Sequence, residues 1–233
     1  MKSFNRVSLK RAIQILAAVL IIFAASFSVA DYVLRGHAYF AKRLGNFIVR
    51  NTWQAVFPPS GPVELYVRVL ADQDYRRTRP DWADHLAELM DRVKRRMARD
   101  FEIGFRILNI EAWDRPPELT DYARILVYAE KNVDRRNTQI LILMTGKDDE
   151  AEAPPDQWVD AGVAHYLGNC IIVGHDSQLL HELGHLFGAI DYPPGDPRYD
   201  LETIYSYQYT DRTEIIDPDN ADRINRFKYR KFW

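Results

Sequence analysis

His181-Glu182-Leu183-Gly184-His185-Leu186-Phe187-Gly188-Ala189-Ile190-Asp191 is the stretch that decides how this chain is read. Two histidines four residues apart on a helix sit one turn above each other, so both imidazoles reach a single metal ion. Glu182 directly follows the first histidine, where a carboxylate takes a proton from a metal-bound water without ligating the metal. Gly188 lets the chain leave the helix abruptly, because glycine adopts left-handed backbone angles without a steric penalty. That turn allows Asp191 to return to the metal as a third ligand, with a fourth position open for water. Three protein ligands and an open position describe a catalytic zinc rather than a structural one. By average residue usage, the two histidines and the glutamate recur by chance in roughly one chain of this length per hundred. Gly188 and Asp191 lower that to roughly a few in a hundred thousand.

The wording resembles that of the metzincin metallopeptidases, whose signature is HExxHxxGxx followed by His or, in a minority of members, Asp. This chain follows the Asp variant, and the run from His181 to Gly188 is especially close to adamalysin-like and matrixin-like enzymes. The resemblance is detailed over residues 160–210 only. It implies His181, His185 and Asp191 as zinc ligands and Glu182 as general base. One departure stands at Thr203-Ile204-Tyr205-Ser206-Tyr207. Many metzincins carry a methionine beneath the metal here, whereas this chain has Tyr205 and no methionine after Met144. Tyr207 aligns with the tyrosine that donates to the tetrahedral oxyanion in astacin-like and serralysin-like members; a plain packing tyrosine is the other reading. Glu202 and Glu214 compete with Asp191 as third ligand, Glu202 being placed as a gluzincin places a ligand on a separate segment.

With 233 residues, the chain holds one domain of ordinary size and an appendage. A hydrophobic content of 47% with 27% charged residues excludes a disordered chain. The net charge of −2 provides no global basic field for nucleic acid. The single cysteine, Cys170, excludes an internal disulfide framework and is expected as a buried thiol in a strand.

Residues 1–11 carry Lys2, Arg6, Lys10 and Arg11 and no acid, and Ala12 to Ala30 follow as an almost unbroken apolar run. As a helix that run spans about 28 Å, close to a bilayer's hydrocarbon thickness. The basic flank predicts a cytoplasmic N-terminus with the remainder exported. We therefore read 1–11 as a cytoplasmic segment and 12–34 as a transmembrane anchor. The rival is a signal sequence cut after Ser28-Val29-Ala30, which would yield a secreted protein. Residues 35–62 read as a juxtamembrane segment and linker ending in Pro58-Pro59-Ser60-Gly61-Pro62, and residues 31–57 also suit a propeptide.

Residues 63–233 read as the metallopeptidase domain. Strands are expected over Val63–Leu70, Phe101–Trp113, Gln139–Met144, Ala161–Leu167 and Asn169–Val173. Helices are expected from Pro80 to about Arg99, from Leu119 to Lys131, through the His181 stretch with Asp176 as N-cap, and from Asp217 to about Lys228. That order gives an α/β chain and resembles the order of metzincin upper domains, which implies a metzincin-like zincin fold. It has a twisted, mostly parallel sheet, two long helices, the zinc helix below the sheet and a small C-terminal subdomain. In that family the edge strand before the zinc helix binds substrate as an added antiparallel strand, a mode that fits a peptide. His165 on this strand is expected to line the cleft or face solvent; His175, His37 and His85 are read as structural. Together these features predict a zinc-dependent endopeptidase acting on peptide or protein substrates, held at a membrane with its active site outside the cytoplasm. The alternative is a catalytically silent, membrane-tethered binding module, which an intact Glu182 disfavours.

Overall fold

The structure, a computed structural model, describes residues 61–146, 162–166, 168–210 and 213–232. The expected membrane span, the juxtamembrane segment and His37 lie outside these residues. Among the described residues, no helix is long and apolar enough to cross a membrane.

Five strands form one sheet in the order β2-β1-β3-β5-β4. They are β1 (Val63–Ala71), β2 (Ile103–Ala112), β3 (Ile140–Met144), β4 (Gly162–Ala164) and β5 (Cys170–Val173). The pairs β1–β2, β1–β3 and β3–β5 are parallel, and β4 runs antiparallel to β5 at the edge. β3 and β5 are buried along their whole length, as Ile-Leu-Ile-Leu-Met and Cys-Ile-Ile-Val require of strands covered on both faces. Cys170 lies buried in β5, as its neighbours predict.

The two faces of the sheet carry separate cores. Val67, Val69, Ile140, Ile142, Ile171 and Val173 pack against α2 (Trp82–Phe101) and α4 (Gln178–Leu186). The alternate residues Leu70, Leu141, Leu143, Cys170 and Ile172 meet α3 (Tyr122–Asn132) on the opposite face. This alternation is the period-two geometry of a pleated strand. After α4, the helical structure is α5 (Pro218–Phe227), capped by the Asp217 side chain on Asn220 N with Pro218 in the first turn.

Two local expectations need correction, and one helix was not expected. Phe101 is the last residue of α2, not the start of a strand. Glu102 closes that helix in the left-handed region (φ 56°), and the Lys228 ammonium donates to the Phe101 carbonyl at 2.9 Å and to Glu102 at 3.0 Å. The β4 strand stops at Ala164 because the chain turns there, with Gly168 N donating to His165 O. A short helix, α1 (Gln73–Thr78), follows β1 unannounced by any hydrophobic period; it exists because buried Asp72 accepts from Asp74 N and Tyr75 N.

Asp72 also receives Arg115 Nε at 2.9 Å and the Thr145 hydroxyl at 2.6 Å, tying together the ends of β1 and β3 and the loop after β2. Removing one member of such a buried charged network leaves its partners uncompensated. Asp72→Ala is therefore expected to cost roughly 3–5 kcal/mol of folding stability, measured as a shift of the urea midpoint against the unchanged chain.

Candidate metal centre

α4 brings the two histidines together because they stand one turn apart on it. Their Nε2 atoms lie 3.0 Å from each other. Each ring is turned by its other nitrogen. His181 Nδ1 meets the Ile204 carbonyl at 2.8 Å, and His185 Nδ1 meets the Ala189 carbonyl at 2.9 Å. With Nδ1–H donating to those carbonyls, Nε2 of each ring carries the lone pair that faces the centre.

The helix closes through a paired C-terminal motif. Gly188 N donates to His185 O and Ala189 N to Gly184 O, both at 3.1 Å, while Gly188 itself has φ +87°. A Cβ at Gly188 would lie 2.4 Å from the Phe227 ring, so both backbone and packing require glycine there. The chain then doubles back. Asp191 Oδ1 lies 3.4 Å from His181 Nε2 and 3.3 Å from His185 Nε2. This oxygen is buried without a partner of normal hydrogen-bonding geometry.

A tetrahedral ion bound at about 2.0–2.1 Å sets its ligand atoms about 3.3 Å apart. The triangle of His181, His185 and Asp191 has edges of 3.0, 3.3 and 3.4 Å, which fits that requirement. Donor atoms of His181, Glu182 and His185 form a second, looser set within 4.8 Å of one another that could also hold a metal. The Asp191 triangle is the tighter of the two, since Glu182 Oε1 stands 3.8 Å from His181 Nε2.

Tyr205 occupies the floor. Its ring centroid lies 5.3 Å from that of His181 and 5.7 Å from that of His185, and its hydroxyl is buried without a hydrogen-bond partner. The hydroxyl presses on Gly184, where an added Cβ would come within 1.7 Å of it. On the open side, a cavity of about 280 Å³ is bounded by β4, Tyr166, Glu182, the three donors and Tyr207. Gly162 on β4 makes room for the general-base candidate: a Cβ there would meet Glu182 Oε1 at 2.7 Å. Nothing in the sequence pattern pointed to Gly162, Tyr166 or the Ile204 carbonyl, because each lies far from the motif in the chain.

The other candidates fall elsewhere. Glu202 and Glu214 are exposed, and Glu214 faces Arg96 at 3.8 Å. His165 pairs with Glu130 at 2.8 Å and is not among the residues lining the cavity; its side chain stays partly open to solvent, the second of its two expected places. His175 bonds Ser177. Asp176 does not cap α4; it accepts from Tyr75 at 3.1 Å and lies 2.6 Å from His85 and 3.2 Å from Arg79. Those three donors satisfy the carboxylate better than one helix N–H would.

The chain matches no protein-family model and no curated protein. Among solved structures it is similar to a zinc-dependent peptidase from Methanocorpusculum labreanum (strain Z), with 15% identity over 69% of this chain and 92% of that chain, at a TM-score of 0.35. Likeness at that level assigns neither fold nor activity to this chain.

Without a metal, His185 holds a proton in its place. Burial works to lower the His185 pKa, but contact with Asp191, the charge of Asp191 and then that of Glu182 outweigh it and raise the value to about 9. Asp191 is likewise pushed up by burial, yet contact with His185 and the charges of both histidines bring it below its usual value. At pH 7.5 metal-free His185 is thus protonated, and a metal must displace that proton. Zinc uptake is expected to release about one proton from this group and to weaken about tenfold for each pH unit below 9. Titration calorimetry in buffers of different ionisation enthalpy measures the released proton directly.

Proposed function

We propose that this chain is a zinc-dependent endopeptidase. The observation that carries the reading is the donor triangle of His181, His185 and Asp191, whose edges match a tetrahedral ion, beside the Glu182 carboxylate. Zinc held by these three residues would supply a Lewis acid for the scissile carbonyl and lower the pKa of a bound water.

The chain's own groups do the rest. The Glu182 carboxylate accepts the attacking water's proton as the new C–O bond forms at the carbonyl carbon. It then delivers that proton to the amine nitrogen as the C–N bond breaks. Two turns of chemistry on one carboxylate demand a fixed position, and Gly162 leaves Glu182 that position without a side chain in the way. Tyr207, which lines the same cavity, would donate its hydroxyl to the developing oxyanion. β4, at the edge of the sheet and on the cavity wall, offers main-chain groups to an extended peptide, a mode suited to polypeptide substrates. The basic residues before the apolar run of 12–30 support an anchor over 12–34 with this domain on the extracytoplasmic side.

Glu182→Gln keeps the shape and removes the proton acceptor. Zinc content and fold should survive, while cleavage of a peptide library should fall by 10²-fold or more, on the order of a general base's contribution. Turnover equal to wild type at matched zinc content would remove Glu182 from the reaction.

A further inference from the structure

Asp191 is the one proposed ligand that does not stand on α4. Its carboxylate sits on irregular chain, so its position depends on what holds the residues on either side of it. Ile190, just before it, is gripped at two points by the Asn220 side chain. Ile190 N donates to Asn220 Oδ1 at 2.8 Å, and Asn220 Nδ2 donates to Ile190 O at 3.1 Å. Tyr192, just after it, is held at both ends. Its backbone N–H donates to Tyr205 O at 2.7 Å, and its hydroxyl donates to Asp217 Oδ1 at 2.9 Å. Asn220 Nδ2 lies 3.0 Å from both the Tyr192 hydroxyl and Asp217 Oδ2, which joins the two grips. Asp217 Oδ2 also receives the Thr203 hydroxyl at 2.9 Å, beside the floor residue Tyr205.

Capping α5 accounts for only part of this arrangement. The cap needs Asn220 N on Asp217 Oδ1, which is present at 3.0 Å, and needs nothing of the Asn220 side chain. That side chain is wholly buried and directed at the peptide before Asp191 instead. Matching one N–H and one C=O with a single planar group requires an amide: an aspartate cannot donate, and a leucine can do neither.

We propose that Asn220, backed by Asp217 and Tyr192, is a positioning residue that keeps the Asp191 carboxylate within reach of His181 and His185. The proposal rests on the zinc reading above. It assigns α5 a part in metal binding even though no α5 side chain belongs to the donor set.

The test measures zinc dissociation constants of the full chain by chelator competition, with folding followed by far-UV circular dichroism. The proteins are wild type, Asn220→Ala, Tyr192→Phe, Asp191→Ala, and each of the first two changes combined with Asp191→Ala. Loss of a group that orients a ligand weakens metal binding about 10–100-fold, and that loss is expected for Asn220→Ala. Tyr192→Phe removes one hydroxyl and is expected to lose less. Once Asp191 is alanine, neither change should alter the affinity by more than about twofold, because the ligand they position is gone. Should Asn220→Ala fail to fold, Tyr192→Phe carries the comparison. A folded variant with wild-type affinity overturns the proposal, and so does an equal loss in both backgrounds. Wild type that binds no zinc overturns the zinc reading itself, a result distinct from either of those.

Discussion

The end of α4 at Gly188 is the constraint on which the centre depends. Were the helix to continue, Asp191 would lie about 9 Å further along the axis than His185 and could not meet it. Left-handed geometry at Gly188 reverses the chain within one residue, and the two closing hydrogen bonds hold the reversal. Phe227 of α5 packs into the space that a side chain at 188 would take. One glycine thus sets both where the third donor falls and how closely the C-terminal helix approaches.

Around that turn the protein fixes its donors through groups that cannot wander. Both Nδ1 atoms bond to backbone carbonyls rather than to side chains. One carbonyl comes from the turn after α4 and the other from Ile204 on the returning segment, so that turn and the segment around Ile204 orient the histidines jointly. Tyr205 fills the space beneath them. Its bulk is admitted by Gly184, a residue that costs about 1 kcal/mol in a helix interior relative to alanine. Here the helix gives up that propensity for a large ring packed directly under the two imidazoles.

Much of this was legible in the sequence wherever the signal was local. The histidine spacing, the glycine exit and the aspartate offset are all contained in eleven residues, while an alternating run marked β1 and an unbroken apolar run marked β3. Contacts between distant segments were not legible. Ile204 is 23 residues from the histidine it orients, and Gly162 is 20 from the glutamate it accommodates. Asp176 read as a helix cap because the sequence does not reveal that Tyr75, His85 and Arg79 converge on it. Phe101 read as strand because an apolar residue ending a helix and one opening a strand look alike until Glu102 is seen at φ 56°. α1 has no apolar period to betray it, being held by one buried aspartate.

The central claim is a metal held by two imidazoles and one aspartate. Zinc-edge X-ray absorption on the purified full chain, with metal analysis of the same sample, tests it most directly. The account predicts one zinc per chain, bound by nitrogen and oxygen at about 2.0 Å with two imidazole scattering patterns and no sulfur. The spectrum should change in Asp191→Ala and stay the same in Glu202→Ala. Absence of stoichiometric zinc, or a spectrum altered only by the Glu202 change, would contradict the account.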